Sequence, residues 1–241
     1  MKLFDPNKNN AKVHSTYCVI GLGRFGTAVA THLCENGRTV IVADADPSRV
    51  EHMRAYTPYA FVMNHMSKEA LEEIGVKNAD VAIVGIGSSL DVSILTTLHL
   101  INLGIKKVIA KATSAEHGQI LERLGAEVVY PEKDMGIQLA VQLLSRSLVG
   151  YLALNNSINV YELKVPSSLL GKTVFEENIR GRFGLNIVAI ERNKQTITHI
   201  TPQTQFEKDD NIVVIGSVDE VQKFEDHFAS DYAQLENKKR E

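Results

Sequence analysis

Short apolar runs alternate with amphipathic stretches over residues 15–130. The runs are rich in β-branched residues and fall at 17–21, 39–43, 60–63, 81–84, 108–110 and 127–129. Between them apolar residues recur at helical spacing, as over 25–35, 89–103 and 115–124. Largely uncharged strands separated by helices are the pattern of a parallel sheet covered on both faces. The expected architecture is α/β, a Rossmann-like, doubly wound parallel sheet over residues 15–135.

Pro131-Glu132-Lys133-Asp134 then opens a different stretch. Ile137, Ala140, Val141, Leu144, Leu148, Val149 and Leu152 follow at helical spacing. Residues 135–154 read as one long helix with a broad apolar face, and 136–156 as a helical crossover and linker. Such a face suits packing on a partner subunit; packing on its own sheet is the plainer alternative. Asn155-Asn156-Ser157 is a polar break and the expected domain boundary. Beyond it the pattern changes. Strands are expected at 158–165, 185–192, 196–200 and 211–215, a turn and short helix at 167–178, and a last helix at 218–228. This is a small α+β unit over 157–229. Residues 1–14 read as a flexible polar extension, and 230–241 as a frayed charged tail.

Composition narrows the function classes. The 241 residues allow one large domain or two small ones. A net charge of −3 and a pI near 6.3 offer no surface for a polyanion, so nucleic acid is not an expected partner. Cys18 and Cys34 are the only cysteines, and both read as small buried apolar residues. The eight histidines form no zinc-type motif. Residues 1–14 hold no signal-peptide core, and no run approaches the length that spans a bilayer. The expectation is a cytoplasmic protein, which leaves docking onto a membrane protein open.

The candidate chemistry sits at the start. Gly21-Leu22-Gly23-Arg24-Phe25-Gly26 follows the first strand, a helical stretch follows the glycines, and the second strand ends in Asp44. This order of strand, glycine turn, helix, strand and acid is that of a dinucleotide-binding unit. Gly21 would permit the tight turn, Gly23 the approach of a pyrophosphate, and Gly26 close packing of helix on strand. Free N–H groups at the helix start would face phosphates. Asp44 would accept from a ribose and repel a 2′-phosphate, favouring an adenine nucleotide or NAD(H) over NADP(H). Arg24 could meet a terminal phosphate bidentately. Asp46 is as well suited to capping the helix that begins at Pro47. Gly85-Ile86-Gly87-Ser88 and Lys111 end later strands at the same sheet edge, and Lys111 would neutralise phosphate or remain solvated. Glu132, after Pro131, suits a helix N-terminus.

Three segments carry a resemblance. They are 19–26, Val-Ile-Gly-Leu-Gly-Arg-Phe-Gly; 124–136, with Leu124-Gly125-Ala126-Glu127 and Tyr130-Pro131-Glu132-Lys133-Asp134-Met135-Gly136; and a C-terminal signature. The last comprises Leu170-Gly171-Lys172-Thr173, Asn178-Ile179-Arg180, 184–190 and 210–216. Over residues 15–230 the chain resembles the RCK subunits (regulators of potassium conductance) of bacterial Ktr and Trk potassium uptake systems. The second segment is closest to the KtrA/KtrC type.

The resemblance implies a nucleotide-sensing regulator rather than a catalyst. It implies ATP or ADP in the N-terminal domain, a homo-octameric ring beneath an integral-membrane potassium channel, and activation by ATP over ADP. The cofactor-binding set it implies is Gly21, Gly23, Arg24, Phe25, Gly26, Asp44, Ala45, Asn64, Ile86, Gly87 and Lys111, with Arg24 reading a γ-phosphate. Glu132 would bind Mg²⁺ or Ca²⁺ near the phosphates. Asn178, Arg180, Asn186 and Ile187 match the spacing for cyclic di-AMP. Met63-Asn64-His65-Met66 departs from the family's Gly-Asp-Ala-Thr/Ser pattern, although Asn64 could still bond the nucleoside. Two other classes compete. An NAD(H)-dependent oxidoreductase or NADH sensor would share the glycine motif, but His199 and His227 have no evident partner for acid–base work. A redox-sensing transcription factor needs a DNA-reading helix that residues 1–14 cannot supply.

Overall fold

A computed structural model describes residues 15–154 and 158–237. The expected extension at 1–14, the polar break at 155–157 and residues 238–241 of the tail lie outside the described residues. The chain divides at Lys133/Asp134 into two compact units.

In the first unit strands and helices alternate: β1 (Thr16–Ile20), α1 (Arg24–Glu35), β2 (Thr39–Asp44), α2 (Pro47–Met53), β3 (Ala60–Val62), α3 (Lys68–Glu73), β4 (Val81–Val84), α4 (Leu90–Asn102), β5 (Lys107–Lys111), α5 (Ala115–Leu124) and β6 (Glu127–Val129). The six strands form one parallel sheet in the order β3-β2-β1-β4-β5-β6. β1 is central, with Cys18 opposite Ile41 on one side and Ala82 on the other. Its side chains alternate between two cores, as a strand with both faces covered must. Cys18 and Ile20 join Leu100 and Leu121, whereas Val19 joins Leu22, Val50 and Met53. Cys18 is fully buried, but Cys34 is only half-buried, a correction to the expectation for that residue. Burial pushes both thiols up, Cys18 the further.

The second unit takes up the later turns of α6 (Pro131–Leu144), then β7 (Leu148–Ala153), β8 (Ile158–Lys164), α7 (Val174–Glu177), α8 (Ile179–Phe183), β9 (Asn186–Arg192), β10 (Gln195–Ile197), β11 (Asn211–Ser217), α9 (Val218–His227) and α10 (Ala229–Asn237). Its five strands form an antiparallel sheet in the order β10-β9-β11-β8-β7. Leu163, Phe206, Ile212, Val214 and Phe224 fill its core. Asp210 is buried at its rim and takes two hydrogen bonds from Arg192, from Nε to Oδ1 and from Nη2 to Oδ2, each 2.8 Å.

Two expectations are corrected here. The helix expected over 135–154 stops at Leu144, and Leu148–Ala153 is a strand paired with β8. The cause is Glu225 on α9, whose carboxylate accepts from the Ser145 hydroxyl at 2.5 Å, the Ser147 N–H at 2.9 Å and the Ser147 hydroxyl at 2.6 Å. These bonds hold the chain out of the helix. The tail expected to fray is helical through Asn237. Tyr232 is 1% exposed in the core, and its hydroxyl donates to Lys164 O at 2.9 Å. Asp231 accepts from Ser167 and Ser168.

Candidate functional site

The glycine turn divides by role. Gly21 has φ +92°, and its N–H donates to Ala43 O at 2.8 Å. At Gly26 a Cβ would lie 1.9 Å from Gly21 O, so glycine is what lets α1 sit on the turn. Gly23 is different. Its φ of −67° is ordinary, and a Cβ there would meet nothing within 4 Å. The fold alone does not require glycine at 23, where the backbone is left open to the cleft. α1 begins at this residue with no side-chain cap bond and no acid in its first turn. Its free N–H groups and dipole present positive character to the opening.

At the C-terminal edge of the sheet, where strand order reverses between β1 and β4, lies a cleft of about 500 Å³. Gly21, Gly23, Arg24, Asp44, Ala45, Asn64, Ile86, Gly87 and Lys111 line it together. Phe25 and Gly26 do not. Phe25 packs on the apolar cluster around Val19 and Leu22, and Gly26 is buried under Gly21. Arg49, Met63 and Met66 also line the cleft and carry no signal in the glycine spacing. Only the place of Arg49, three residues after a helix cap, could have pointed to it.

Asp44 is 7% exposed and is already engaged. Its Oδ2 accepts from Leu22 N–H at 2.5 Å and its Oδ1 from Asp46 N–H at 2.8 Å. It therefore fastens the end of β2 to the glycine turn while facing the cleft. Arg49 lies 3.6 Å from Asp44 Oδ2 and 3.3 Å from Asp46 Oδ2. Asp46 caps α2 by accepting from Ser48 N–H at 2.8 Å, and bonds from the Ser48 hydroxyl and N–H hold its carboxyl below the usual range. Asn64 and His65 are exposed.

Lys111 ends β5, and its Nζ lies 2.5 Å from Glu132 Oε1 on the first turn of α6. That hydrogen bond is the main cause holding the Glu132 carboxyl below its ordinary value, with the Lys111 and Arg24 charges adding to it. A second cleft of about 510 Å³ is lined by Gly87, Lys111, Thr113, Tyr130 and Glu132, and so shares two residues with the first. Among the described residues no three or more His, Cys, Asp or Glu gather as a metal site. One carboxylate cannot fill the six to eight oxygen positions of a hard cation, so Glu132 fits Mg²⁺ or Ca²⁺ only with phosphate oxygens or water completing the shell.

In the second unit, Asn178, Arg180, Asn186 and Ile187 line a cleft of about 320 Å³ with Phe175, Ile200 and Pro202. Asn178 has φ +41°, and its Oδ1 accepts from Gly181 N–H at 3.2 Å, which makes it the cap of α8. Phe175 is 76% exposed at the rim and escaped the sequence reading, because one aromatic in a four-residue helix has no periodicity to mark it.

The molecule is thus a Rossmann-like domain with an open switch-point cleft, followed by a small α+β domain. Residues 17–131 match the TrkA-N domain and residues 160–229 the TrkA-C domain. The chain is 35% identical over 210 residues to Ktr system potassium uptake protein C of Bacillus subtilis (strain 168), covering 87% of this chain and 95% of that protein. It is 30% identical, with the same coverage, to Ktr system potassium uptake protein A of that organism. It is 31% identical to the protein A of Vibrio alginolyticus, covering 85% of this chain and 94% of that one. The chain belongs to the RCK family of regulatory subunits of Ktr potassium uptake systems.

Proposed function

We propose that this chain is a gating subunit that reads the phosphate charge of an adenine nucleotide and biases a membrane potassium channel accordingly. The observation that carries the reading is the switch-point cleft, where an uncapped helix start, an open Gly23, Arg24, Asp44 and Lys111 converge. The first turn of α1 and Gly23 hold the diphosphate, and Asp44 offers its remaining lone pairs to the ribose. Asn64 bonds the base or sugar edge, and Ala45, Ile86 and Gly87 form the walls. Arg24 and Lys111 meet the outer phosphates, so ATP gains a contact that ADP lacks. A divalent cation would sit between phosphate oxygens and Glu132, where it would neutralise charge.

A ligand shifts a conformational equilibrium only through differential affinity, and such coupling is ordinarily ~1–3 kcal/mol per site. A homo-octameric ring would sum several such terms, with ATP favouring the active ring and ADP the inactive one. Met135, Leu143 and Leu144 are spread around α6 and are 62%, 77% and 85% exposed, and this exposed apolar surface supports packing against further copies. No helix among the described residues is long and apolar enough to cross a membrane. The chain acts from the cytoplasmic face through its channel partner. The cleft around Arg180 and Asn186 is the candidate cyclic di-AMP site. The second cleft beyond Lys111 would admit the far half of NAD(H), which keeps that dinucleotide as the competing ligand.

Calorimetric titration with ATP, ADP, NADH and cyclic di-AMP, with and without Mg²⁺, tests the reading. Micromolar or tighter ATP and ADP binding is expected, weakened by Asp44→Ala, with the ATP preference removed by Arg24→Ala. Tight NADH binding with no response to ATP or ADP would overturn it.

A further inference from the structure

We propose that Glu132 is a built-in competitor of the nucleotide: in the unliganded chain it holds the lysine that a bound phosphate takes over. This rests on the nucleotide reading of the switch-point cleft and assigns Lys111 and Glu132 a regulatory part in it. The two side chains are unequally placed. Lys111 is 12% exposed, whereas Glu132 is 60% exposed. A largely desolvated ammonium needs an anion beside it, while an exposed carboxylate loses little by returning to water. Glu132 also sits on the first turn of α6, where a negative charge is favoured with or without the lysine. Exchange of Glu132 for a phosphate therefore costs only the modest worth of one half-exposed ion pair, and that cost is what the nucleotide must overcome.

The geometry lets the ammonium change partners without moving β5. A Cβ on Gly87 would lie 3.3 Å from Lys111 Nζ, and Gly87 and Lys111 line both clefts. Lys111 thus stands on the partition, with Glu132 on one side and the glycine turn on the other. Arg24 lines the first cleft and adds its charge to the field at Glu132, so the three groups share one local field. A phosphate bearing more charge than a carboxylate draws Lys111 toward the turn, and the pair with Glu132 opens. Anything that engages Glu132 from solvent, a divalent cation above all, lowers the cost of that opening. By linkage, cation and nucleotide then strengthen each other even without touching.

The test is a double-mutant cycle read by calorimetric titration of ADP and ATP in EDTA, using the full chain. Glu132→Gln is expected to tighten binding of both nucleotides by roughly two- to fivefold, the upper part of the range for one partly exposed ion pair. Lys111→Met is expected to weaken binding, and in that background Glu132→Gln is expected to change nothing. Adding Mg²⁺ to the wild type is expected to bring its affinity toward that of Glu132→Gln in EDTA. Unchanged or weaker binding by Glu132→Gln in EDTA, or an equal gain in the Lys111→Met background, overturns the proposal. If the wild type binds neither ADP nor ATP, the nucleotide reading fails first and the proposal with it. If it binds both but the cycle shows no coupling, only the competitor role fails.

Discussion

Two glycines of one motif should respond oppositely to the same methyl group. At Gly26 the new Cβ would lie 1.9 Å from Gly21 O. Gly21 cannot retreat, because its N–H is bonded to Ala43 O and its carbonyl is also packed against Gly85. Overpacking of this kind costs ~1–3 kcal/mol, and the helix preference for alanine over glycine returns at most ~1 kcal/mol. A net loss of ~1–2 kcal/mol should lower the melting temperature of Gly26→Ala by about 2–8 °C. Gly23→Ala places its methyl in open space at an ordinary φ, so its unliganded stability should stay within ~0.5 kcal/mol of wild type. The ligand response should separate them further. ADP at about 100 times its Kd should stabilise the wild type by ~2.7 kcal/mol, and most of that should vanish in Gly23→Ala. Thermal melts with and without ADP read both effects. A Gly23→Ala protein that melts well below wild type, or that keeps the full ADP shift, would refute the division of roles. So would a Gly26→Ala protein that melts with the wild type.

Other outcomes follow from buried polar groups. Arg192→Met removes both bonds to Asp210, which is 2% exposed, and should cost about 3–5 kcal/mol in denaturant unfolding of the second unit. His117 is 1% exposed, its Nδ1 accepts from Thr113 N–H at 3.3 Å, and burial holds its pKa below the ordinary value. As pH falls through ~6.5 the unfolded chain takes up a proton that the folded chain does not, so stability should fall until pH passes the lowered folded value. His117→Gln should flatten melting temperature against pH between about 7.5 and 5.5.

Much of the first unit was legible in the chain. Parallel strands buried on both faces must be apolar runs, and the helices between them need only one apolar stripe, so both periods survive in the sequence. The residues at the strand ends were legible for the same reason. A switch-point cleft collects whatever follows β1, β2, β4 and β5, and those positions could be counted from the runs themselves.

What escaped depended on groups distant in sequence. Leu148 and Leu152 stand four apart, which a helix would allow, yet Glu225 on α9 takes the bonds that end α6 and turns their segment into a strand. Tyr232 lies in a charged tail and is held by Lys164 O. Phe25 sits inside the glycine motif but turns to the core, while Arg49 lies outside the motif and turns to the cleft. Local pattern determined the elements, their order and the chemistry of the glycine turn, because each depends on neighbours along the chain. The end of α6, the pairing of Lys111 with Glu132, and which side chains face the cleft were decided by the tertiary structure. Each is a contest for a hydrogen bond or a cavity, and only the folded chain brings the competitors within reach.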